Sequence, residues 1–297
     1  MEGQHTGGSS PKLHLIVEAL NDGSLPNRFR KTPVTEEELS GLPDHLNRFG
    51  FAELRMSGSA QFSHQGLQRM MKEIGETPIT VVDLRQESHG FVDGLAVNWF
   101  GLHNGGNKGL TNQEVMVEEK SRLDGLRLQE SVVFDRVEEK SINVEGPVAH
   151  RNAVHSEEEL VVSEGLGYAR FYVTDHHRPP DSEVDRFQAF LETLPEGTWL
   201  HFHCRGGVGR TTTFMLMYDM LRHSPHVSLD ELLERHTATG GRDMYRLDSP
   251  DSPKYAPAVE RLAFIKQFYA YCLSQADKQH RTPWSRWIAE RNAREEQ

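Results

Sequence analysis

The sequence predicts an α/β fold, with helices layered on both sides of a central sheet. Three observations carry that reading. The apolar stretch Thr198-Trp199-Leu200-His201-Phe202 reads as a buried strand; behind a glycine-rich loop, Thr211 to Leu221 carries a helical stripe of Phe214, Leu216, Met217, Met220 and Leu221. Further upstream, Ser63 to Ile74 puts Leu67, Met70, Met71 and Ile74 on one helix face, and Ile79 to Leu84 follows as a second buried strand. Beyond these, helix-like and strand-like stretches alternate to the C-terminal end.

Taken in chain order, the opening Met1 to Ser10 is polar, either a native tail or an added segment in place of a removed leader. Residues 1–25 are expected to be a flexible N-terminal segment ahead of a single domain over 26–297. Asp83-Leu84-Arg85 ends the second strand; its two charges could reach the edge of the site, but such a pair is more often a tie between neighbouring loops, and that is the expectation. Thr111–Leu126 reads as a charged helix with a solvated face. From Arg127 to Val154 the pattern turns to short strand-like pieces, SVVFDRV and SINVEGPVAH, broken at Gly146-Pro147, so a small β insertion is expected within 127–155. Ser156-Glu157-Glu158-Glu159 is a capping box that opens a short helix before a strand at Tyr168. Asp181 or Ser182 opens the helix Glu183–Leu194, with Val184, Phe187, Phe190, Leu191 and Leu194 inward. Ser228-Leu229-Asp230-Glu231 caps another helix, Ala258–Ser274 forms the last long one, and Trp284 and Trp287 are expected to dock the C-terminal end into the core.

Chemistry concentrates in His203-Cys204-Arg205-Gly206-Gly207-Val208-Gly209-Arg210-Thr211. Between a strand and a helix, glycines let the backbone curl around a tetrahedral dianion, while the helix N-terminus adds unpaired N–H donors and a positive dipole end. Cys204 would sit in that field beside Arg210 and His203, surroundings that favour thiolate over thiol. Arg210 offers a planar fork for two phosphate oxygens, and the Thr211 hydroxyl can donate to the sulfur. A lone cysteine is more often a small core residue, and a glycine loop can hold a nucleotide without reacting. Here no Lys-Ser/Thr pair follows the glycines as a P-loop nucleoside triphosphatase requires, and a Cys-x5-Arg-Thr spacing preceded by His is far more specific than a glycine pattern. An acid for the leaving oxygen is found upstream: the strand at Tyr168 ends in Asp175, followed by the proline-restricted loop His176-His177-Arg178-Pro179-Pro180. The plainer reading of Asp175 is a turn cap before the prolines.

With 297 residues, 36% of them hydrophobic, the chain can bury one large domain with an insertion, or two small ones. The longest apolar runs fall short of a bilayer span and no hydrophobic run opens the chain, so a soluble protein is expected, either secreted or periplasmic with its leader removed, or cytoplasmic. Two cysteines, Cys204 and Cys272, imply no disulfide framework, and Cys272 reads as core. No Cys/His cluster has zinc spacing; neither a metal, another cofactor nor a nucleic-acid partner is expected, and the oligomeric state is left open. The net charge of −11 should repel a polyphosphate at long range, but screening confines that effect to about 8–10 Å. Local charges decide, and Arg205, Arg210, His176, His177 and Arg178 gather at the candidate site.

Cys204-x5-Arg210 resembles the signature loop of cysteine-dependent phosphatases, and the wider text is similar to the protein-tyrosine-phosphatase-like phytases, which are bacterial inositol polyphosphate phosphatases. LHFHCRGGVGRTTTFMLMYDML, VTDHHRPP, NRFRKTP, MSGSAQFS, ITVVDLRQESHGFVDGLAVNW, KQFYAYC and TPWSRW carry the likeness, which covers roughly residues 26–290. It implies a protein-tyrosine-phosphatase-like fold whose insertion is a small partial β-barrel. It also implies Cys204 as nucleophile, Arg210 as phosphate clamp, Asp175 as general acid, and substrate contacts from His176, Arg30, Lys254, Lys140 and Asn104. The loop residues Arg205, Gly206, Gly207, Val208 and Gly209 would cradle the phosphate beside His203 and Thr211. The chain departs from the family pattern at Arg178, where Trp is common, at Leu102 to Gly109, and at Arg205, where an acidic or neutral residue is common. The expected substrate is an inositol polyphosphate, phytate foremost. A protein-tyrosine, dual-specificity or phosphoinositide phosphatase is the rival reading, and a catalytically silent phosphate-binding or host-interaction module is the rival of another class.

Overall fold

A computed structural model describes residues 12–149, 153–276 and 281–295. In chain order its elements are β1 His14–Ala19, β2 Arg30–Lys31, α1 Glu36–Ser40, β3 Met56–Ser59, α2 His64–Ile74, β4 Ile79–Asp83, β5 His89–Val92 and β6 Leu95–Phe100. There follow α3 Asn112–Arg127, β7 Ser131–Val132, β8 Val148–Ala149, β9 Val154–His155, α4 Glu157–Ser163 and β10 Gly167–Arg170. The rest is α5 Asp181–Thr193, β11 Trp199–His203, α6 Gly209–His223, α7 Leu229–Ala238, α8 Tyr255–Gln275 and α9 Trp284–Glu295. Capping boxes at Ser156 and Ser228 open α4 and α7 as expected. Helix α6 starts two residues earlier than its apolar stripe suggests, which brings Arg210 into the first turn.

The larger sheet has the order β10-β4-β11-β3-β2, with β10, β4, β11 and β3 parallel and β2 antiparallel at the edge. Period-two alternation in β11 decides what faces where. Leu200 and Phe202 join the core beneath α5, α6, α8 and α9, which contains Phe187, Phe214, Phe268 and Trp284. On the opposite face α2 and α4 pack Leu67, Met70, Leu160 and Val161 around Phe62 and Val81, and the His203 ring lies 4.9 Å from Phe62 on that side. Each fully buried aromatic or aliphatic side chain contributes roughly 1.5–3 kcal/mol. Trp284 packs edge-on to Phe264 and Tyr271, the core role expected of it. The Cys272 thiol is buried in the same core, which pushes its pKa up to about 12 and leaves it unreactive.

A second, antiparallel sheet has the order β1-β6-β5-β9, and β7 pairs with β8 beside it. Two expectations need correction here. Residues 1–11 lie outside the described residues, but His14–Ala19, placed in a flexible segment by the sequence, is a strand, with Leu15 opposite Trp99 and Val17 opposite Val97. Its partner is some eighty positions away, which local composition cannot reveal. The β insertion therefore exceeds 127–155: β1, β5 and β6 form most of its sheet, α3 covers it through Leu123 and Leu126, and among the described residues no barrel closes. Along the free edge of β1 runs the segment 135–142, hung by Asp135 N–H on the Leu15 carbonyl (2.7 Å) and Ile142 N–H on the Val17 carbonyl (2.9 Å).

Candidate active site

In sheets of this kind ligands bind beyond the carboxyl ends of the parallel strands. Here four such ends converge: β11 delivers Cys204 to Val208, β3 delivers Ala60 and Gln61, β4 delivers Arg85 and Glu87, and β10 leads to Asp175. The loop after β11 and the segment after β10 border a cavity of about 770 Å³ whose lining includes Cys204, Arg210 and Asp175.

The loop after β11 is pinned from behind. Arg28 Nη1 donates to the Gly206 carbonyl at 2.8 Å and Arg30 Nη1 to the Gly207 carbonyl at 2.9 Å. Since C=O and N–H point oppositely across a planar peptide, the amides that follow are turned the other way. Gly207 has φ +67°, and a Cβ there would come within 2.3 Å of the Ala60 nitrogen; this position demands glycine. Gly206, Val208 and Gly209 line the cavity. Thr211 Oγ1 donates to Cys204 Sγ at 3.2 Å, as its place in the motif suggests.

Arg210 is fully buried. Its Nη1 donates to Glu87 Oε2 (2.7 Å) and to the Val173 carbonyl (3.0 Å), while Nη2 reaches Glu87 Oε1 at 2.8 Å and lies 3.1 Å from Asp175 Oδ1. Its Nε is buried and has no hydrogen-bond partner among the described residues, a donor left for an oxyanion. Burial presses against its charge, but Asp175 and Glu87 more than offset that and raise its pKa well above the usual range. Asp175 feels the reverse balance: desolvation pushes its carboxyl up, and Arg210 wins, holding it below the ordinary carboxylate value.

Asn104, expected as a substrate contact, lines the cavity but spends its Nδ2 on Asp175 Oδ2 (3.0 Å) and Glu87 Oε1 (3.0 Å). It holds the acid in place. His176 lines the cavity, with φ +68°, its own N–H on Asp175 Oδ1 (2.9 Å) and its carbonyl on Arg261 Nη1 (2.7 Å). Burial lowers its pKa, Asp175 opposes that, and nearby Lys254 and Arg210 add to the lowering. Lys254, Lys140 and Arg205 are also in the lining.

Arg30 and His203 stand elsewhere than expected. Arg30 does not line the cavity; its Nη2 donates to Thr212 Oγ1 at 3.1 Å, so it props the loop from beneath. His203 faces away because alternation along β11 turns it toward α4, where its Nε2 meets Glu157 Oε1 at 2.5 Å.

Sequence reasoning missed Glu87, Glu18, Arg242 and Arg261, and favoured a loop tie for Arg85 over a place at the site edge. Arg85 sits in full burial between Glu18 Oε2 (2.8 Å) and Glu87 Oε1 (3.0 Å), and Arg85 and Arg210 together hold the Glu87 carboxyl far below its usual range despite its burial. A signal was available: Asp83, Arg85, Glu87 and His89 are ionisable at every second position. Arg261, two helical turns beyond Lys254, lines the same cavity, and its buried Nε has no hydrogen-bond partner among the described residues. Glu87→Gln is expected to leave two buried guanidinium groups undercompensated and to cost about 3–5 kcal/mol in urea denaturation. A loss below about 1 kcal/mol would show that the carboxylate is dispensable there.

Asp83, His89 and Glu157 bring potential metal-ligand atoms within 4.8 Å of one another. Their surroundings suit a proton better. His89 Nε2 is 3.3 Å from both Asp83 Oδ2 and Glu157 Oε2, and Arg170 Nε is 3.1 Å from that same Asp83 oxygen. Burial and Arg85 oppose a charge on His89, but the carboxylates of Asp83 and Glu119 outweigh them and raise its pKa to about 10. An imidazolium already supplies the positive charge that a cation would bring.

The chain is similar to several known proteins. The model of the protein-tyrosine-phosphatase-like phytase family, described by inositol hexakisphosphate, matches residues 82–222. A phytase of that type from Bdellovibrio bacteriovorus is 32% identical, with a TM-score of 0.71 over 95% of this chain and 97% of its own. The myo-inositol phosphatase of Mitsuokella multacida, solved in complex with myo-inositol-(1,3,4,5)-tetrakisphosphate, is 32% identical with a TM-score of 0.83, over 95% of this chain and 50% of its own. Effector protein hopD2 of Pseudomonas syringae pv. tomato is 30% identical over 261 residues, 86% of this chain and 56% of that protein. The chain thus spans about half the length of the Pseudomonas and Mitsuokella relatives. With a relative matched along nearly its whole length, the chain belongs to the protein-tyrosine-phosphatase-like phytase family.

Proposed function

We propose that this chain hydrolyses phosphomonoesters of myo-inositol polyphosphates through a phosphocysteine intermediate. The observation that carries the reading is Cys204 at the bottom of a wide cavity whose lining holds Arg210, the acid Asp175 and a rim of cations, Lys12, Lys140, Arg242, Lys254 and Arg261. One phosphate enters the loop while others meet the rim, which suits a ligand bearing several phosphates better than a single phosphotyrosine. The relative bound to an inositol tetrakisphosphate supports the same substrate class.

In the first step Cys204 Sγ forms a bond to phosphorus as the P–O bond to the inositol breaks, and Asp175 gives its proton to the departing oxygen. Water then attacks phosphorus, Asp175 takes its proton, and the S–P bond breaks to release orthophosphate and the thiolate. Thr211, bonded to the sulfur, stabilises it as it leaves. Arg210 offers its open Nε together with Nη2 as charge spreads over the equatorial oxygens. His203, with its ring held by Glu157, fixes the end of β11 instead of touching ligand.

Phosphate release from phytate, a phosphotyrosyl peptide and a phosphoinositide, assayed side by side, tests the substrate class; phytate is expected to be fastest, and a clear preference for the peptide would overturn it. Because Asp175 must carry a proton and Arg210 depresses its carboxyl, activity is expected to peak on the acid side of neutrality. A maximum above pH 8 would exclude these roles. No helix among the described residues is long and apolar enough to cross a membrane.

A further inference from the structure

Arg205 follows the nucleophile and lines the cavity, yet its guanidinium is already engaged on three sides, each by the small sheet and its edge segment. Its Nε donates to Glu18 Oε1 of β1, its Nη2 to the Lys140 carbonyl at 2.6 Å, and its Cζ lies 4.8 Å over the Phe100 ring of β6. Glu18 is nearly buried, and its other oxygen accepts from Arg85 at 2.8 Å, so its carboxylate faces Arg205 in a fixed direction. Lys140 belongs to a tight turn. Its N–H and that of Ser141 bond to the Val137 carbonyl, each at 3.0 Å, and Glu139 sits at φ +57°. Val137, Glu138 and Lys140 all line the cavity.

We infer that Arg205 is a specificity-determining latch: it acts as a positioning residue that bolts the nucleophile loop to the small sheet and holds the Lys140 turn over the cavity, so that Lys140 meets a second phosphate of the substrate. Glu18 is the anchor of the latch. Its charge answers that of Arg205, which leaves the arginine as a mechanical link more than a free cation for substrate. A planar fork with two separate donors is required, because one arm reaches the carboxylate and the other a main-chain oxygen. Lysine, with a single nitrogen, cannot span both. A substrate with one phosphate uses the loop alone and is indifferent to the rim, whereas a polyphosphate is held by both; the latch therefore governs preference between them.

The inference rests on the polyphosphate reading, and its test separates the two. Amide hydrogen exchange of residues 135–142 is to be compared in the wild-type chain and Arg205→Gln, a measurement that needs no substrate. The KM for myo-inositol hexakisphosphate and for p-nitrophenyl phosphate is then measured for R205Q, R205K, K140A and the R205Q/K140A double variant. Faster exchange in 135–142 is expected in R205Q. Its KM for the hexakisphosphate should rise about tenfold, a loss of roughly 1.4 kcal/mol, and by much more than for the monophosphate. R205K should stay impaired, and the double variant should be no worse than about twofold beyond either single one, since both act on the same contact. Unchanged exchange, recovery in R205K, or additive losses in the double variant would each overturn the latch, the last two by making Arg205 an independent phosphate contact. If the wild-type chain does not turn over the hexakisphosphate, the substrate reading fails, and the exchange measurement still decides whether the latch exists.

Discussion

Cys204→Ser is expected to bind phytate and to release almost no phosphate. Serine is a slightly smaller side chain of the same shape that can still bond to Thr211 Oγ1, so the fold and the cradle survive. What disappears is an ionisable nucleophile: a serine hydroxyl stays protonated near neutrality, and no base lies beside it, since the neighbouring His203 ring is turned toward Glu157 on the far face of β11. The loss in kcat should be about three orders of magnitude or more, with the dissociation constant for phytate changed by no more than about threefold. Single-turnover phosphate release and calorimetric titration read the two quantities separately. Retained turnover in C204S would exclude the phosphocysteine route. Equal binding by wild type and variant with turnover absent from both would favour the rival reading, a phosphate-binding module that never reacts.

The candidate site was legible in the sequence to the extent that it is local. Cys204, Thr211 and Arg210 lie within one strand–loop–helix unit, where spacing along the chain fixes spacing in space. Asp175 was legible as a carboxyl before two prolines, although β10 ends at Arg170 and this carboxyl stands in the turn beyond it. What could not be read was set by partners far off in sequence. Arg30 and Arg28 look alike as basic residues near the N-terminal end, and nothing local says that both hold loop carbonyls from behind. His203 follows from alternation, but its direction depends on which face of the sheet α4 covers. Glu18 went unseen because β1 exists by pairing with β6, and the polar opening of the chain hid it. The rim divides the same way: Lys254 and Lys140 came from likeness to a family, whereas Arg261 and Arg242 needed the packing of α8 and of the turn that follows α7.

For Asp175→Asn the expected outcome depends on the leaving group, which makes it the sharper test of mechanism. An inositol alkoxide is a poor leaving group and needs a proton, so kcat for phytate should fall by about 10²–10⁴. A p-nitrophenolate leaves readily without one, and the loss for p-nitrophenyl phosphate should stay within about tenfold. The pH profile carries a second signature. In the free protein Arg210, 3.1 Å away, keeps the Asp175 carboxyl ionised; a phosphate dianion drawn to Arg210 shares that charge and sets a like charge beside the carboxyl, so its affinity for a proton rises as substrate enters. Activity of the wild-type chain on phytate should therefore decline as pH rises above neutrality, and that decline should vanish in D175N. Stability follows the opposite sign. A carboxyl depressed in the folded state contributes stability above its ordinary range that is lost as pH falls through the depressed value, so the wild-type advantage over D175N in thermal midpoint should shrink on acidification. It should be small throughout, because Glu87 goes on neutralising Arg210 when Asp175 is gone. If D175N loses equally on both substrates and keeps the alkaline decline, the proton comes from another group, and His176, next in the loop and facing the same cavity, becomes the residue to substitute.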